Sequence, residues 1–192
     1  MLQPKLFMLM LGGKPPGRNT EQHDMFFGIG ETIKDLVPAI KAFWPEAKAN
    51  LHIDAWREVN HIPGYEISVV PRAAADETED ITIKLFFINL GGYKPGEFDE
   101  LHYKMLVVAK SMGEASTVAR KSAFYKHTGF KGAASHIDDK YGVDVDDLQL
   151  VKDMLPEAVK QEYSLLLTPT DEVTEDEIHL GYFQLHKLDY RF

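Results

Sequence analysis

Short apolar runs, bounded by glycine, proline and charged residues, recur along this chain and predict strands. Two such runs, at residues 5–11 and 23–29, are separated by GGKPPGRNT, whose glycines and prolines predict a wide hairpin loop. Apolar positions at helical spacing then predict a helix over residues 31–44, in which Pro38 either kinks the helix or lies in its first turn. Two more strands are predicted at residues 48–54 and 65–70.

The same order of elements returns further along the chain. Strands are predicted at residues 82–90 and 101–109, and a helix over 113–127 that begins at a capping box of Ser111 and Glu114. Closing strands are predicted at 133–138 and about 146–152. The tail adds strands near 163–167 and 178–185, and the acidic segment between them predicts a solvated loop.

The two series share sequence as well as order. KLFMLMLGGKPPGRNTEQH, at residues 5–23, and KLFFINLGGYKPGEFDELH, at residues 84–102, are identical at ten of nineteen positions without a gap. The triplet His-Ile-Asp at 52–54 recurs at 136–138, at an offset of 84 where the first motif has 79. This indicates duplication of one module. We therefore expect a first copy over 1–78, a second over 79–154, and C-terminal strands over 155–192 that pack on the copies.

These elements predict an α+β fold of two tandem ββαββ units. The order of hairpin, helix and two further strands favours a ubiquitin-like roll, in which a mixed sheet holds one helix. A ferredoxin-like split βαβ unit is the alternative, since it also covers one face of a sheet with helices.

Composition narrows the classes of function. The 192 residues are 44% apolar and carry 30 acidic against 21 basic side chains, a formal charge of −9, which argues against binding to nucleic acid. The absence of cysteine excludes disulfides, thiolate catalysis and cysteine-zinc sites. No stretch reaches the roughly 18 apolar residues of a membrane span. Because the apolar start of the chain is repeated at residues 84–90, we expect it to be structural and the protein to be cytoplasmic.

The doubled motif KLFxxxLGGxxPGxxxExH, with the His-Ile-Asp that follows it, resembles a family of small bacterial proteins built from one or two copies of a domain of unknown function. The resemblance covers most of residues 5–154. It implies a bacterial origin and the two-copy plan, and it brings no reaction, cofactor or catalytic residue. The copies differ at Arg18 and Glu97 and at Asp24 and Tyr103, so they need not be equivalent in function.

The glycine-rich loops are the first candidate binding feature. Glycine allows a ligand to approach the backbone closely, so each loop could present N–H groups to an anion. Neither loop matches a phosphate-binding fingerprint, and each leads into a strand and not into a helix, so a wide turn is the simpler interpretation. The candidate residues are Gly12, Gly13, Gly17, Gly91, Gly92 and Gly96.

Paired histidines and carboxylates are the second candidate feature. Residues two apart on a strand point to the same face, so each pair places an imidazole beside a carboxylate. Such a set could hold a divalent metal, serve acid–base chemistry, line a polar pocket, or tie down loops by hydrogen bonds. In a ubiquitin-like roll the two pairs of one copy lie apart and could meet only at the junction between copies. The binding candidates are Glu21, His23, His52, Asp54, Glu100, His102, His136 and Asp138, with the four histidines as candidate metal ligands.

The duplicated scaffold, the acidic surface and the lack of a recognised catalytic motif favour a binding module without enzymatic activity. Its two fused copies would form an internal pseudo-dimer, which could itself form a homodimer, and its partner would be a small molecule or a protein. The alternative is a small hydrolase or isomerase that uses the paired histidines and carboxylates. No cofactor is required by the sequence, although a divalent metal is compatible with it.

Overall fold

A computed structural model of the chain describes residues 3–47, 50–75, 82–93, 96, 98–127 and 144–188. Strands and helices alternate along the chain, and the strands form separate antiparallel sheets, which confirms the α+β class. The chain divides into two compact units, one formed by residues 1–79 with 154–192 and the other by residues 80–153. Within the described ranges, no helix combines the length and the apolar character that a membrane span requires.

The first unit contains a four-stranded sheet in the order β10-β3-β1-β2. The apolar run at the start of the chain becomes its central strand, because both of its neighbours pair with it antiparallel along nearly their whole length. The predicted strand at 48–54 begins four residues later than expected. The strands of this sheet are β1 (Lys5–Gly13), β2 (Gln22–Gly30), β3 (His52–Glu58) and β10 (His179–Gln184).

The predicted first helix is divided into two short helices. A 3-10 helix over Ile33–Leu36 leads directly into α1 (Val37–Phe43), and Pro38 lies in the first turn of α1, where its missing N–H costs nothing. The Thr32 N–H donates to the Asp35 carboxylate at 2.8 Å and begins the first of these helices. The helices cover one face of the sheet, where the buried apolar residues include Phe7, Leu9, Leu11, Phe26, Ile33, Leu36, Ile40, Ile53 and Trp56.

The predicted fourth strand of the first copy forms, but in a different sheet. Strand β5 (Tyr65–Pro71) pairs with the short β4 (His61–Ile62) and with β9 (Tyr163–Pro169), and not with the sheet around β1. The C-terminal strands therefore add to the first unit, β9 through β5 and β10 through β3. The remaining helices are short: α2 (Arg72–Ala75), α4 (Val151–Met154), α5 (Glu157–Glu162) and a 3-10 helix over Leu185–Lys187.

The second unit has a three-stranded sheet in the order β7-β6-β8, with one long helix. At the start of that helix the Ser111 hydroxyl accepts from the Glu114 N–H at 3.2 Å, as the capping box predicts, whereas the Glu114 carboxylate accepts from the N–H of Lys110 and not of Ser111. Its apolar core lies on the helix side of the sheet. The elements are β6 (Lys84–Tyr93), β7 (Glu100–Ala109), α3 (Met112–His127) and β8 (Asp144–Leu150).

The topology of both units departs from the ubiquitin-like roll. Every ladder among the described strands is antiparallel, so the mixed sheet expected of that roll is not formed by them. Strands β2 and β3 run in the same direction on either side of β1 and are joined through α1, and β7 and β8 flank β6 in the same way. That is the split βαβ arrangement of the alternative fold.

One residue of the acidic C-terminal segment is buried, in contrast to the solvated loop expected there. The side chain of Asp176 is 3% exposed, and its carboxylate accepts hydrogen bonds from the backbone N–H groups of Asn60 at 3.0 Å and His61 at 3.1 Å. The His61 Nδ1 atom lies 3.3 Å from the same carboxylate. Asp176 therefore fixes the C-terminal segment to the connection between β3 and β4.

Replacement of Asp176 by alanine is expected to lower the free energy of unfolding by about 1–3 kcal/mol, because two backbone N–H groups lose a charged acceptor. Glu175→Ala, at an exposed neighbouring position, is the control and should change the stability by less than about 0.5 kcal/mol. Urea denaturation followed by circular dichroism measures both. Equal stabilities of the two variants would contradict an anchoring role for Asp176.

Candidate functional site

Gly12, the first glycine of the Gly-Gly motif, leaves room for a cluster of polar side chains in the first unit. Gly12 on β1 lies opposite His23 on β2 and opposite His52 on β3. A Cβ atom at Gly12 would overlap the Asp54 carboxylate and the His52 ring. Because β1 has no side chain at this position, polar side chains from its two neighbouring strands, β2 and β3, meet above it. We call Glu21, His23, His52 and Asp54 the His52 cluster.

The atoms of the His52 cluster form a chain of alternating carboxylates and imidazoles. His52 Nε2 lies 3.1 Å from Glu21 Oε1 and 3.1 Å from Asp54 Oδ1. The other oxygen of Asp54, Oδ2, lies 3.2 Å from His23 Nε2. In the split βαβ order, β1 lies between β2 and β3, and its Gly12 has no side chain to separate the residues that these two strands carry. The four residues therefore meet within one unit. The expectation that the pairs could meet only at the junction between copies was therefore wrong.

The hydrogen bond at Nδ1 fixes the tautomer of His52. Nδ1 lies 2.7 Å from the backbone oxygen of Asn50, and a carbonyl oxygen can only accept, so Nδ1 carries a proton. In the neutral imidazole, Nε2 is then the nitrogen with the free lone pair, directed at two carboxylates. Among the described residues, neither His52 Nε2 nor Asp54 Oδ2 has a partner in hydrogen-bond geometry, although both atoms are buried.

Burial and stacking hold His52 in place. Its side chain is 3% exposed, whereas those of Glu21 and His23 are 47% and 46% exposed. The Tyr182 ring of β10 lies against the imidazole with ring centroids 4.1 Å apart. Gln184 also lies on β10, where it pairs with His52 of β3. Its Oε1 atom is buried and has no hydrogen bond within the described part of the chain. The cluster thus has a fixed, buried centre at His52 and half-exposed ends at Glu21 and His23.

A second cluster occupies the corresponding place in the second unit. Gly91 on β6 lies opposite His102 on β7, and a Cβ atom there would overlap the Asp146 carboxylate of β8. His102 Nε2 lies 3.3 Å from Asp146 Oδ2 and 4.0 Å from Glu100 Oε2. Glu100, His102 and Asp146, which we call the His102 cluster, are about one-third exposed and form the one described set of three whose donor atoms all lie within 4.8 Å of one another.

The pairing register gives an equivalence between the two units that differs from the one suggested by the repeated His-Ile-Asp triplet. A register shift interrupts β1 between Met10 and Leu11 and interrupts β6 at the equivalent step. Beyond it, Gly91 pairs with Asp144, as Gly12 pairs with His52, so residues 144–146 correspond by register to 52–54. The predicted partners His136 and Asp138 lie outside the described residues. Asp146 was missed because 16 residues separate the end of α3 from the start of β8, whereas eight separate α1 from β3; the strand predicted at 133–138 falls within those 16 and also lies outside the described residues.

The pair of residues next to each cluster is apolar in the first unit and polar in the second. In the first unit it contains Met25 and Met10, whereas the second unit has Lys104 and Asn89 at the corresponding register positions. Burial lowers the pKa of Lys104. The Asn89 amide donates to Asp147 at 3.2 Å, and its Oδ1 atom is buried without a hydrogen bond within the described ranges.

The other glycines have structural roles. A Cβ atom at Gly13 would lie 2.7 Å from the Cβ of Ala47, so this glycine permits close packing of the segment after α1. Gly17 and Gly96 have φ angles of 80° and 85°, which only glycine adopts readily, as the turn interpretation of the two loops requires. Gly92 pairs with Leu101 in the β6–β7 ladder.

Comparison with known proteins finds a family model that matches one segment of the chain. Residues 18–69 match the family described as Domain of Unknown Function (DUF1543). This confirms the expected resemblance to a domain of unknown function, and the DUF1543 match contains all four members of the His52 cluster. The protein Il1583 from Idiomarina loihiensis, known from a crystal structure, has a similar fold. Its TM-score is 0.60 at 24% identity, with 95% of this chain and 97% of that chain covered. No curated protein matches the chain.

Proposed function

We propose that this protein binds a divalent transition-metal ion, with Zn²⁺ as the best-fitting example, through the His52 cluster. One observation carries the proposal: the buried Nε2 atom of His52 faces two carboxylates at 3.1 Å without a hydrogen bond to either of them. A bare lone pair between two anions is unfavourable. A cation that all three groups bind would remove this repulsion.

The alternative explanation is that His52 is an imidazolium ion held between the two carboxylates. In that case the Nε2–H would be expected to point at a carboxylate oxygen with good hydrogen-bond geometry, and the buried atom has no such partner among the described residues. The hydrogen bond from Nδ1 to the Asn50 carbonyl is also the contact that typically orients a metal-binding histidine.

The chemistry of the donors favours zinc or a similar metal. Two imidazoles and two carboxylates are a suitable ligand set for Zn²⁺, and its bond lengths separate neighbouring donors in a tetrahedral site by about 3.3–3.4 Å. Successive donors in the cluster lie 3.1–3.2 Å apart, whereas no three of its members have donor atoms that all lie within 4.8 Å of one another in the described part of the chain. The outer members, Glu21 and His23, are half exposed and would move inward when the ion binds. Four protein donors would complete a tetrahedral site, which supports a binding protein over a catalyst.

The proposal is tested by metal titration of protein that has been treated with a chelator and then freed of it. We expect Zn²⁺ to bind and to raise the melting temperature by about 5–10 °C at a hundredfold excess over Kd, because the ion binds only the folded cluster. Co²⁺ should give the visible absorption of a tetrahedral site. Sodium chloride at equal ionic strength is the control. Protein that neither binds Zn²⁺ nor gains stability would contradict the proposal.

We also infer that the two units arose by duplication. The shared motif, the equal strand orders β2-β1-β3 and β7-β6-β8, and the register shift at equivalent steps support this origin. On this interpretation, both clusters descend from one ancestral polar site above a glycine.

A further inference from the structure

We infer that the second unit holds a cation site of its own, at the His102 cluster, and that this site prefers a hard divalent ion such as Mn²⁺ over Zn²⁺. The inference builds on the proposed function, because it assumes that these clusters bind cations, but it concerns different residues and a different class of ion. It begins from the three donor atoms of Glu100, His102 and Asp146, all within 4.8 Å of one another.

The same backbone cradle supports both sites. Gly91 removes the side chain that would displace the Asp146 carboxylate, as Gly12 does for Asp54 and His52. A carboxylate and an imidazole from opposite neighbours of the central strand therefore meet above a glycine in each unit. Beside the second cluster, on the same face of β6 as Gly91, the Asn89 Oδ1 atom is buried without a hydrogen bond in the described part of the unit. Such an acceptor could receive a hydrogen bond from a metal-bound water.

The donor set determines the preferred ion. At the register position of His52 the second unit has Asp144, so the described residues of its cluster offer one imidazole, from His102, where the His52 cluster offers two. Carboxylate oxygens suit Mn²⁺ and Mg²⁺, whereas imidazole nitrogen suits zinc and its neighbours. The side chains of the His102 cluster are 33–39% exposed, which leaves room for the waters that a six-coordinate hard ion retains.

Lys104, which lies next to the His102 cluster, should make cation binding there weaker than at the His52 cluster. Lys104 lies two residues from His102 on the same face of β7, a separation of about 7 Å along a strand. Its positive charge opposes a cation in the cluster, whereas the corresponding residue of the first unit is the neutral Met25. The second site should therefore be the weaker of the two.

The test is Mn²⁺ titration of the full chain, followed by electron paramagnetic resonance, with Zn²⁺ calorimetry in parallel. We expect one bound Mn²⁺ that is lost in His102→Ala and retained in His52→Ala. Lys104→Met should tighten Mn²⁺ binding by about three- to tenfold, because a nearby like charge is removed. Asp144→His should shift the preference of the second site towards Zn²⁺.

The outcomes separate this inference from the proposed function. Mn²⁺ binding that is unchanged in His102→Ala would overturn the second site and leave the first intact. Mn²⁺ binding that depends on His102, in a protein that does not bind Zn²⁺ through His52, would support the second site and contradict the first. Absence of binding by either ion would contradict both. Circular dichroism of each variant confirms that it is folded.

Discussion

His52→Ala is expected to abolish tight Zn²⁺ binding while leaving the protein folded. His52 is the buried, fixed member of its cluster, and its Nε2 atom is the centre on which both carboxylates converge. Loss of a direct ligand should weaken binding by more than the roughly 10–100-fold that follows loss of an outer-shell partner. Isothermal titration calorimetry measures the change.

The matched control for this variant is His186→Ala, at an exposed histidine in the 3-10 helix after β10. Removal of this imidazole should leave Zn²⁺ affinity within about twofold, since surface substitutions away from a site have small effects. If both variants retain full affinity, the ion does not bind at His52. If both lose it equally, the loss reflects a general effect of histidine removal on the metal.

The fold could be predicted from sequence as far as local patterns determine it. Short apolar runs located β1, β2, β6 and β7, and helical spacing located α3 to within one residue at its start. The partner of β5 could not be predicted in this way, because its pairing with β9 joins residues about a hundred positions apart. A pattern within one strand does not identify such a distant neighbour.

The site shows the same division between local and distant information. The sequence named Glu21, His23, His52 and Asp54 as chemically capable residues, but their meeting depended on strand order. The split βαβ topology places β1 between the two strands that carry them, and the glycine of β1 makes the contact possible. For the Gly-Gly motif the sequence favoured a wide turn over a loop that binds an anion, whereas Gly12 lies in β1 and makes room for the Asp54 and His52 side chains.

A comparable difficulty hid Asp146. The residues at 136–138 are identical to those at 52–54, and sequence identity was the only basis for treating the two triplets as equivalent positions. Ladder register follows the hydrogen bonds of the backbone, and these equate His52 with Asp144. The alternation of Asp144, Val145 and Asp146, in which two acidic residues flank an apolar one, was the signal in the sequence that could have extended the strand predicted at about 146–152 to its start at Asp144.

Gly12→Ala is the second substitution with a large expected effect, and its sign tests the role of the glycine. In an ordinary strand, alanine stabilises relative to glycine by about 0.5–1 kcal/mol, because it restricts the unfolded chain more. At Gly12 the added Cβ would overlap both the Asp54 carboxylate and the buried His52 ring, which cannot swing into solvent. We therefore expect a loss of about 1–3 kcal/mol in the free energy of unfolding, typical of an overfilled site.

Zn²⁺ affinity should fall in the same variant, by roughly 10–100-fold, because the ligands are displaced without being removed. Gly91→Ala is the matched comparison. There the added Cβ meets only the Asp146 carboxylate, which is one-third exposed and can move outward, so Mn²⁺ binding should be lost at a smaller cost in stability. Urea denaturation and metal titration of both variants measure these differences. A Gly12→Ala protein that is more stable than the parent and binds Zn²⁺ equally well would show that no cluster of ligands lies above Gly12.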